Sequence, residues 1–130
     1  MATPPDCPTT EYDLQDRLID LAVRISTVCD SLPSTRVAKH VAGQLLRCGT
    51  APAPLHAEAS AAESRKDFVY KLRLCLKELR ETMTWLRYLQ RLGIGEPSEI
   101  DESISDTDRA VAIIYTSIRT ASRNEKLKSQ

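Results

Sequence analysis

The feature that most constrains this fold is one uninterrupted helical pattern, which extends from residue 65 to residue 92. Ser64, followed three residues later by Asp67, is a helix-start signature, because the serine side chain can accept a hydrogen bond from the first turn. Three residues that terminate helices follow the pattern: Gly93, Gly95 and Pro97. A helix of this length extends about 42 Å at 1.5 Å per residue. Its apolar side can be buried only against other long helices.

Two further segments, near the two ends of the chain, repeat apolar side chains every three or four residues. The first covers residues 11 to 32, where acidic residues occupy the first turns and Pro33 stops the pattern. The last begins near Ser98 and continues to about residue 121. Both are long enough to lie alongside the central helix.

The second segment in chain order is helical but interrupted. It starts after Thr35 and is rich in small residues as far as residue 62. Gly49, Pro52 and Pro54 break the pattern, since proline lacks the amide hydrogen that a helix interior requires. We therefore predict one helix with a kink near residues 49 to 54.

These segments predict an all-α fold, an antiparallel up-and-down four-helix bundle whose second helix is kinked. No run of residues alternates apolar and polar side chains over the length of a strand. The bundle domain should cover residues 11 to 122. We expect residues 1 to 10, with three prolines among the first eight, and the tail at residues 123 to 130 to be disordered.

The 65 to 92 segment carries two apolar faces. At about 100° per residue, one face has the width of a core-facing stripe, and it is made of Phe68, Leu72, Cys75, Leu76, Leu79, Met83 and Leu86. The second lies nearly opposite and is made of Tyr70, Leu74, Trp85, Tyr88 and Leu92. A helix of a monomeric bundle should be polar there, so this face is a candidate oligomer interface. The alternative is that loops or the last helix cover it.

A row of basic side chains lies between the two apolar faces. We name it the basic ridge, and it consists of Lys66, Arg73, Lys77, Arg80, Arg87 and Arg91. The row extends over about 38 Å at 1.5 Å per residue, and a row of that length can follow a phosphate backbone. We therefore treat these residues as candidate nucleic-acid-binding residues.

Charge is unevenly distributed although the whole chain carries no net charge. Residues 35 to 92 have a net charge of +6, residues 1 to 34 of −4 and residues 93 to 130 of −2. A basic middle favours an anionic ligand, and it also fits ion pairing with acidic faces of neighbouring helices or subunits. In the second interpretation the partners of the ridge include Asp13, Asp16, Asp20, Glu99 and Glu102.

Patterns that would support catalysis or a cofactor do not occur. The four cysteines are widely spaced and form no CxxC pair, so we expect reduced, buried or inert thiols. They are Cys7, Cys29, Cys48 and Cys75. His40 and His56 have no partner at a metal-binding or catalytic spacing, and we expect both at the surface or its boundary. We predict a protein that is not an enzyme, with no cofactor and no metal site.

The sequence also indicates the cellular compartment of the protein. No segment approaches the roughly 20 apolar residues of a membrane span, and the first residues lack the basic and apolar regions of a signal peptide. Unpaired cysteines fit a reducing compartment. We therefore expect a cytoplasmic protein with no membrane partner.

Four stretches of the sequence resemble a known family. They are DLQDRLIDLAVRI, GQLLRCGT, AEASAAESRKDF and KELRETMTWL. With these motifs in order, the span from Tyr12 to about Ala121 is similar to the bacterial four-helix-bundle family of 23S ribosomal RNA intervening-sequence proteins. The chain departs from the family pattern at Pro54, Leu55 and His56, where members commonly have small residues followed by Asn and Tyr.

The resemblance implies an assembly and a ligand. Members form ring-shaped homopentamers, and similar accessory proteins of diversity-generating retroelements bind nucleic acid and a reverse transcriptase. No catalytic residues are implied. We therefore expect a homo-oligomeric ring, with a pentamer favoured, that binds RNA or DNA through the basic ridge. The alternative is a structural scaffold or an adaptor for a protein partner, with no nucleic-acid role.

Overall fold

The computed structural model describes the backbone of residues 11 to 129 and the side chains of residues 14 to 124. That part of the chain contains helices and no strand. The helices are α1 (Glu11–Ser31), α2 (Arg36–Thr50), α3 (Pro52–Ser60), α4 (Arg65–Leu92) and α5 (Pro97–Ser129). The predicted fold class is confirmed, since α2 and α3 together form one side of a four-helix bundle.

One bent helix is formed by α2 and α3. Ala51 joins them with helical backbone angles, φ −71° and ψ −35°, and its carbonyl accepts a hydrogen bond from the Leu55 amide over 3.2 Å. Pro52 and Pro54 cannot donate such bonds, and the helix bends by 17°. The kink that the prolines predicted is therefore confirmed.

In cross-section the bundle is a square of four helices, with the bent α2 and α3 helix counted as one. α1 packs against the bent α2 and α3 helix on one side and against α5 on the other, and α4 does the same. α1 and α4 thus lie on one diagonal, and α2 and α5 lie on the other. This arrangement leaves one long side of each helix facing outward.

The ends of α4 are fixed by the residues that the sequence singled out. The Ser64 side chain accepts a hydrogen bond from the Asp67 amide over 3.1 Å. Gly93 ends the helix with φ +70°, a conformation that glycine adopts without the strain of a side chain. These two caps define where α4 begins and ends.

The core contains most of the predicted apolar side chains, but its line along α4 differs from the predicted one. The fully buried residues of α4 are Leu72, Cys75, Leu79, Thr82, Leu86 and Leu89. Leu76 and Met83, which we expected in the core, are only half-buried. Thr82 takes the core position that we expected for Met83, and its hydroxyl donates to the Glu78 carbonyl of its own helix over 2.8 Å. A threonine satisfied in this way can be buried among apolar side chains.

α5 continues to Ser129, through most of the segment 123 to 130 that we expected to be disordered. No glycine or proline follows Pro97, and the last residues favour helical backbone, so nothing stops the helix earlier. The prediction of disorder for residues 1 to 10 lies outside the described residues.

Candidate nucleic-acid interface

The basic ridge occupies the outward side of α4. All six of its side chains are exposed, and none forms an ion pair among residues 14 to 124. The ridge faces outward because Leu72, Leu79 and Leu86 turn the other side of the helix into the core. A row of solvated cations without carboxylate partners is free to meet an anionic ligand.

The carboxylates nearest to the ridge in sequence are directed elsewhere. Glu78 and Glu81 lie on the flank of α4 that faces α2, and both pair with Arg47 of α2. Asp67 lies in the first turn of α4, where a negative charge is favourable to the helix dipole. The acidic residues of α4 therefore leave the positive charge of the ridge unopposed.

The acidic residues of α5 also have a different partner. Arg24 of α1 contacts three of their carboxylates, at 2.6 Å for Glu102, 3.0 Å for Asp106 and 3.5 Å for Glu99. The Glu102 hydrogen bond raises the pKa of Arg24. Within one subunit, Glu99 and Glu102 therefore pair with Arg24 across the groove between α1 and α5. Neither carboxylate pairs with the ridge of its own subunit, and pairing with the ridge of a neighbouring subunit stays an alternative.

The second apolar face of α4 is divided in the structure. Leu74 and Trp85 are half-buried, whereas Tyr70, Tyr88 and Leu92 are exposed. Trp85 packs edge to face on the exposed His40 of α2, with 5.9 Å between ring centroids. This face is not opposite the core, because the buried line of α4 is displaced toward α2. Part of it is therefore covered within the subunit.

α1 carries a second exposed apolar set, which was not among the predicted surfaces. Ile19 and Val23 are exposed although both are aliphatic. The signal was present, because they lie off the spacing of the buried α1 residues Leu14, Leu18, Leu21, Ile25 and Val28. The α1 set and the α4 face lie on diagonally opposed helices.

His56 is buried, which contradicts the surface position we expected. Its ring Nδ1 donates to the Gln15 side-chain oxygen over 2.6 Å, and the Gln15 amide donates to the Ala53 carbonyl over 3.1 Å. This polar contact joins α3 to α1, so the imidazole compensates for its burial with hydrogen bonds. His56 thus has a structural role in the described part of the bundle.

The described cysteines have no features of a reactive or metal-binding site. Cys29, Cys48 and Cys75 are buried free thiols. Burial raises the pKa of Cys29 to about 11 and that of Cys75 to about 12, so both remain protonated and weakly nucleophilic at neutral pH. Among the described residues, no group of histidine, cysteine or acidic side chains is placed to hold a metal ion.

Comparison with known proteins decides which family this bundle represents. The model of the 23S rRNA-intervening sequence protein family matches residues 10 to 116. The chain belongs to this family. A crystal structure of a protein of unknown function from the S23 ribosomal protein family of Bacteroides thetaiotaomicron VPI-5482 is similar, with a TM-score of 0.78 and 28% identity. The match covers 84% of this chain and 97% of that chain.

The comparisons assign no activity to this 23S rRNA-intervening sequence protein. No curated protein matches it, and the related crystal structure is of a protein whose function is unknown. None of the described helices is long and apolar enough to cross a membrane. The exposed surface of the bundle is therefore the part of the molecule that bears on its function.

Proposed function

We propose that this 23S rRNA-intervening sequence protein binds nucleic acid through the basic ridge of α4, with RNA as the expected ligand. The observation that carries the proposal is the row of six exposed basic side chains, which form no ion pair in the described part of the chain. Nucleic-acid affinity depends mainly on cations that neutralise phosphates and release counterions. The ridge has the charge and the length that such contacts need.

The spacing along the ridge supports contacts with a phosphate backbone. Neighbouring members are separated by three, four or seven residues, which is about one or two turns of helix. Six cations therefore lie along one line of about 38 Å, at 1.5 Å per residue. Because the contacts are to phosphates and not to base edges, we expect binding to be largely independent of sequence.

A salt series tests the proposal. If all six side chains contact phosphates, a plot of log affinity against log salt should fall with a slope of about −4 to −5. Fluorescence anisotropy with labelled RNAs of two unrelated sequences gives both the slope and the sequence dependence. Absence of binding at low salt would remove the proposal and favour the scaffold or protein-adaptor alternative.

We also propose that copies of the chain associate. A closed ring needs head-to-tail contacts between two different patches on each subunit. The exposed Ile19 and Val23 of α1 provide one apolar patch, and the exposed Tyr70 with the half-buried Leu74, one turn further along α4, provides another on the diagonally opposed helix. The family resemblance favours five subunits. In such a ring the ridges of several subunits bind one long RNA together, which strengthens weak contacts.

Charged substitutions in the two patches test the assembly. Light scattering of the unmodified protein should give a multiple of 14.5 kDa. Val23→Glu or Tyr70→Glu should reduce the mass to that of one chain, because each buries a charge in the contact. Helix content should not change, since both side chains are exposed in the subunit.

The matched control is Ala112→Glu, which adds the same charge at an exposed position of α5 and should leave the mass unchanged. Trp85 is unsuitable for this test, because it packs on α2 within the subunit. A monomer at micromolar concentration in the unmodified protein would contradict the assembly.

A further inference from the structure

Three aromatic side chains form a cluster beside the C-terminal half of the basic ridge. Trp85 is at its centre, with ring centroids 5.9 Å from His40 and 5.7 Å from Tyr88. We name these three residues the aromatic cluster. Tyr88 follows Arg87 directly in the chain and precedes Arg91 by three residues, so it is a surface neighbour of Arg91 on α4.

The geometry of the cluster leaves a ring face open. Trp85 and Tyr88 meet edge to face, with 86° between their planes. An edge-to-face contact covers at most one face of one ring, so Tyr88 keeps at least one face free of Trp85. Tyr88 is also 43% exposed. Part of the Tyr88 ring is therefore available to solvent next to Arg91 of the ridge.

Hydrogen bonds hold the cluster in position. The Trp85 Nε1 donates to a Glu81 carboxylate oxygen over 3.2 Å, and the same carboxylate oxygen accepts from Arg47 of α2. His40 and Arg47 both belong to α2, so the packing of α2 on α4 fixes the indole from two directions. Tyr88 packs on an indole that is fixed in this way, so the Tyr88 ring loses less conformational freedom when a ligand stacks on it.

We infer that the aromatic cluster is a stacking site for unpaired bases, and that the ligand of the ridge is single-stranded nucleic acid. This inference rests on the proposed function of the ridge. Proteins that bind single strands combine cations along the backbone with aromatic rings that stack on successive bases. Bases in a duplex are stacked on one another, so a duplex can use the ridge but not the cluster.

The same surroundings disfavour a second protein chain at this position. A subunit packed on Tyr88 would also bury the guanidinium groups of Arg87 and Arg91. Burying a charge costs free energy unless a carboxylate accompanies it. A nucleic acid supplies a phosphate for each arginine and a base for the ring, so it satisfies both parts of the surface together.

Binding of the full chain to a single-stranded RNA and to a duplex of the same sequence and length tests the inference. Tyr88→Leu removes the aromatic ring and keeps an apolar side chain, and it should weaken single-strand binding about tenfold while duplex binding is unchanged. Tyr88→Phe keeps the ring and should bind both RNAs as the unmodified protein does. Trp85 is the sole tryptophan, so its fluorescence should change on addition of the single strand.

Three outcomes would overturn the inference. Equal affinity for both RNAs, with no effect of Tyr88→Leu, would show that the ridge binds without stacking; the proposed function would stand and the inference would fail. A loss of assembly in Tyr88→Leu but not in Tyr88→Phe would place Tyr88 in a subunit contact. Failure of both RNAs to bind at low salt would remove the proposed function as well as the inference.

Discussion

Leu79→Ala should lower the free energy of unfolding by about 2 to 5 kcal/mol. Leu79 is fully buried near the middle of α4, where that helix packs against α2, α3 and α5. Shortening the side chain removes apolar contacts and leaves a cavity that three surrounding helices cannot fill by small movements. The loss is a large share of the stability of a domain of this size. Chemical denaturation followed by circular dichroism measures it.

Leu76→Ala is the matched control for this prediction. The chemical change is the same, but Leu76 lies one helical turn earlier and is only half-buried. Its loss should therefore cost clearly less, below about 2 kcal/mol, because less apolar surface leaves water in the folded state. Both variants must be measured at one protein concentration, since association adds to apparent stability. An equal or larger effect of Leu76→Ala would contradict the orientation of α4.

The helix boundaries could be predicted because they depend on local chemistry. Ser64 and Thr35 accept hydrogen bonds from amides three residues further along the chain, and Gly93 takes a positive φ. These interactions involve only neighbouring residues, so the sequence pattern contains them. α5 extends beyond the apolar pattern that indicated it, and no glycine or proline follows Pro97 to stop it.

The phase of the core along α4 could not be predicted from apolar residues alone. Thr82 is buried and Met83 is half-buried, because the position of α2 beside α4 decides which residues lie in the core. Gly49 gives a second example. It was interpreted as part of a helix break, but a Cβ atom there would lie 2.6 Å from the Cγ2 atom of Ile25. Its role is to let α1 and α2 approach closely, which depends on their tertiary packing.

The candidate site also combines a feature that the sequence pattern indicates with contacts that exist only in the folded bundle. Regular spacing on one helix was enough to find the basic ridge, since its members share one outward side. The aromatic cluster requires His40 and Trp85, which are 45 residues apart in sequence and meet only in the folded bundle. The ion pairs of Arg24 with α5 likewise join the two ends of the chain. Contacts of this kind cannot be read from a single sequence.

Reversing three ridge charges should abolish RNA binding. The variant replaces Arg73, Arg80 and Arg87 by glutamate, which removes three phosphate contacts and adds three repulsive charges. We expect affinity at low salt to fall by more than about 100-fold, because phosphate contacts provide most of it. Stability should change little, about 0.5 kcal/mol or less for each exposed substitution. The three side chains have no ion-pair partner in the described chain that would be lost.

A control with the same change in charge separates the ridge from net charge. Arg109, Arg119 and Arg123 are exposed arginines of α5, and their replacement by glutamate changes the charge of the chain by the same amount. This variant should lose far less affinity than the ridge variant, because its arginines lie off the phosphate path. Similar losses in the two variants would show that affinity depends on total charge and not on the ridge.

The most direct test of ridge binding is the RNA affinity of the Arg73, Arg80 and Arg87 variant, measured by anisotropy together with its mass by light scattering. We predict loss of RNA binding with the mass and helix content of the unmodified protein, because the ridge faces solvent in the subunit and, in the assembly that we propose, stays outside the subunit contacts. Retained binding would show that RNA contacts another surface. Loss of the assembly would show that the ridge is a subunit interface, and either result would contradict the proposed function.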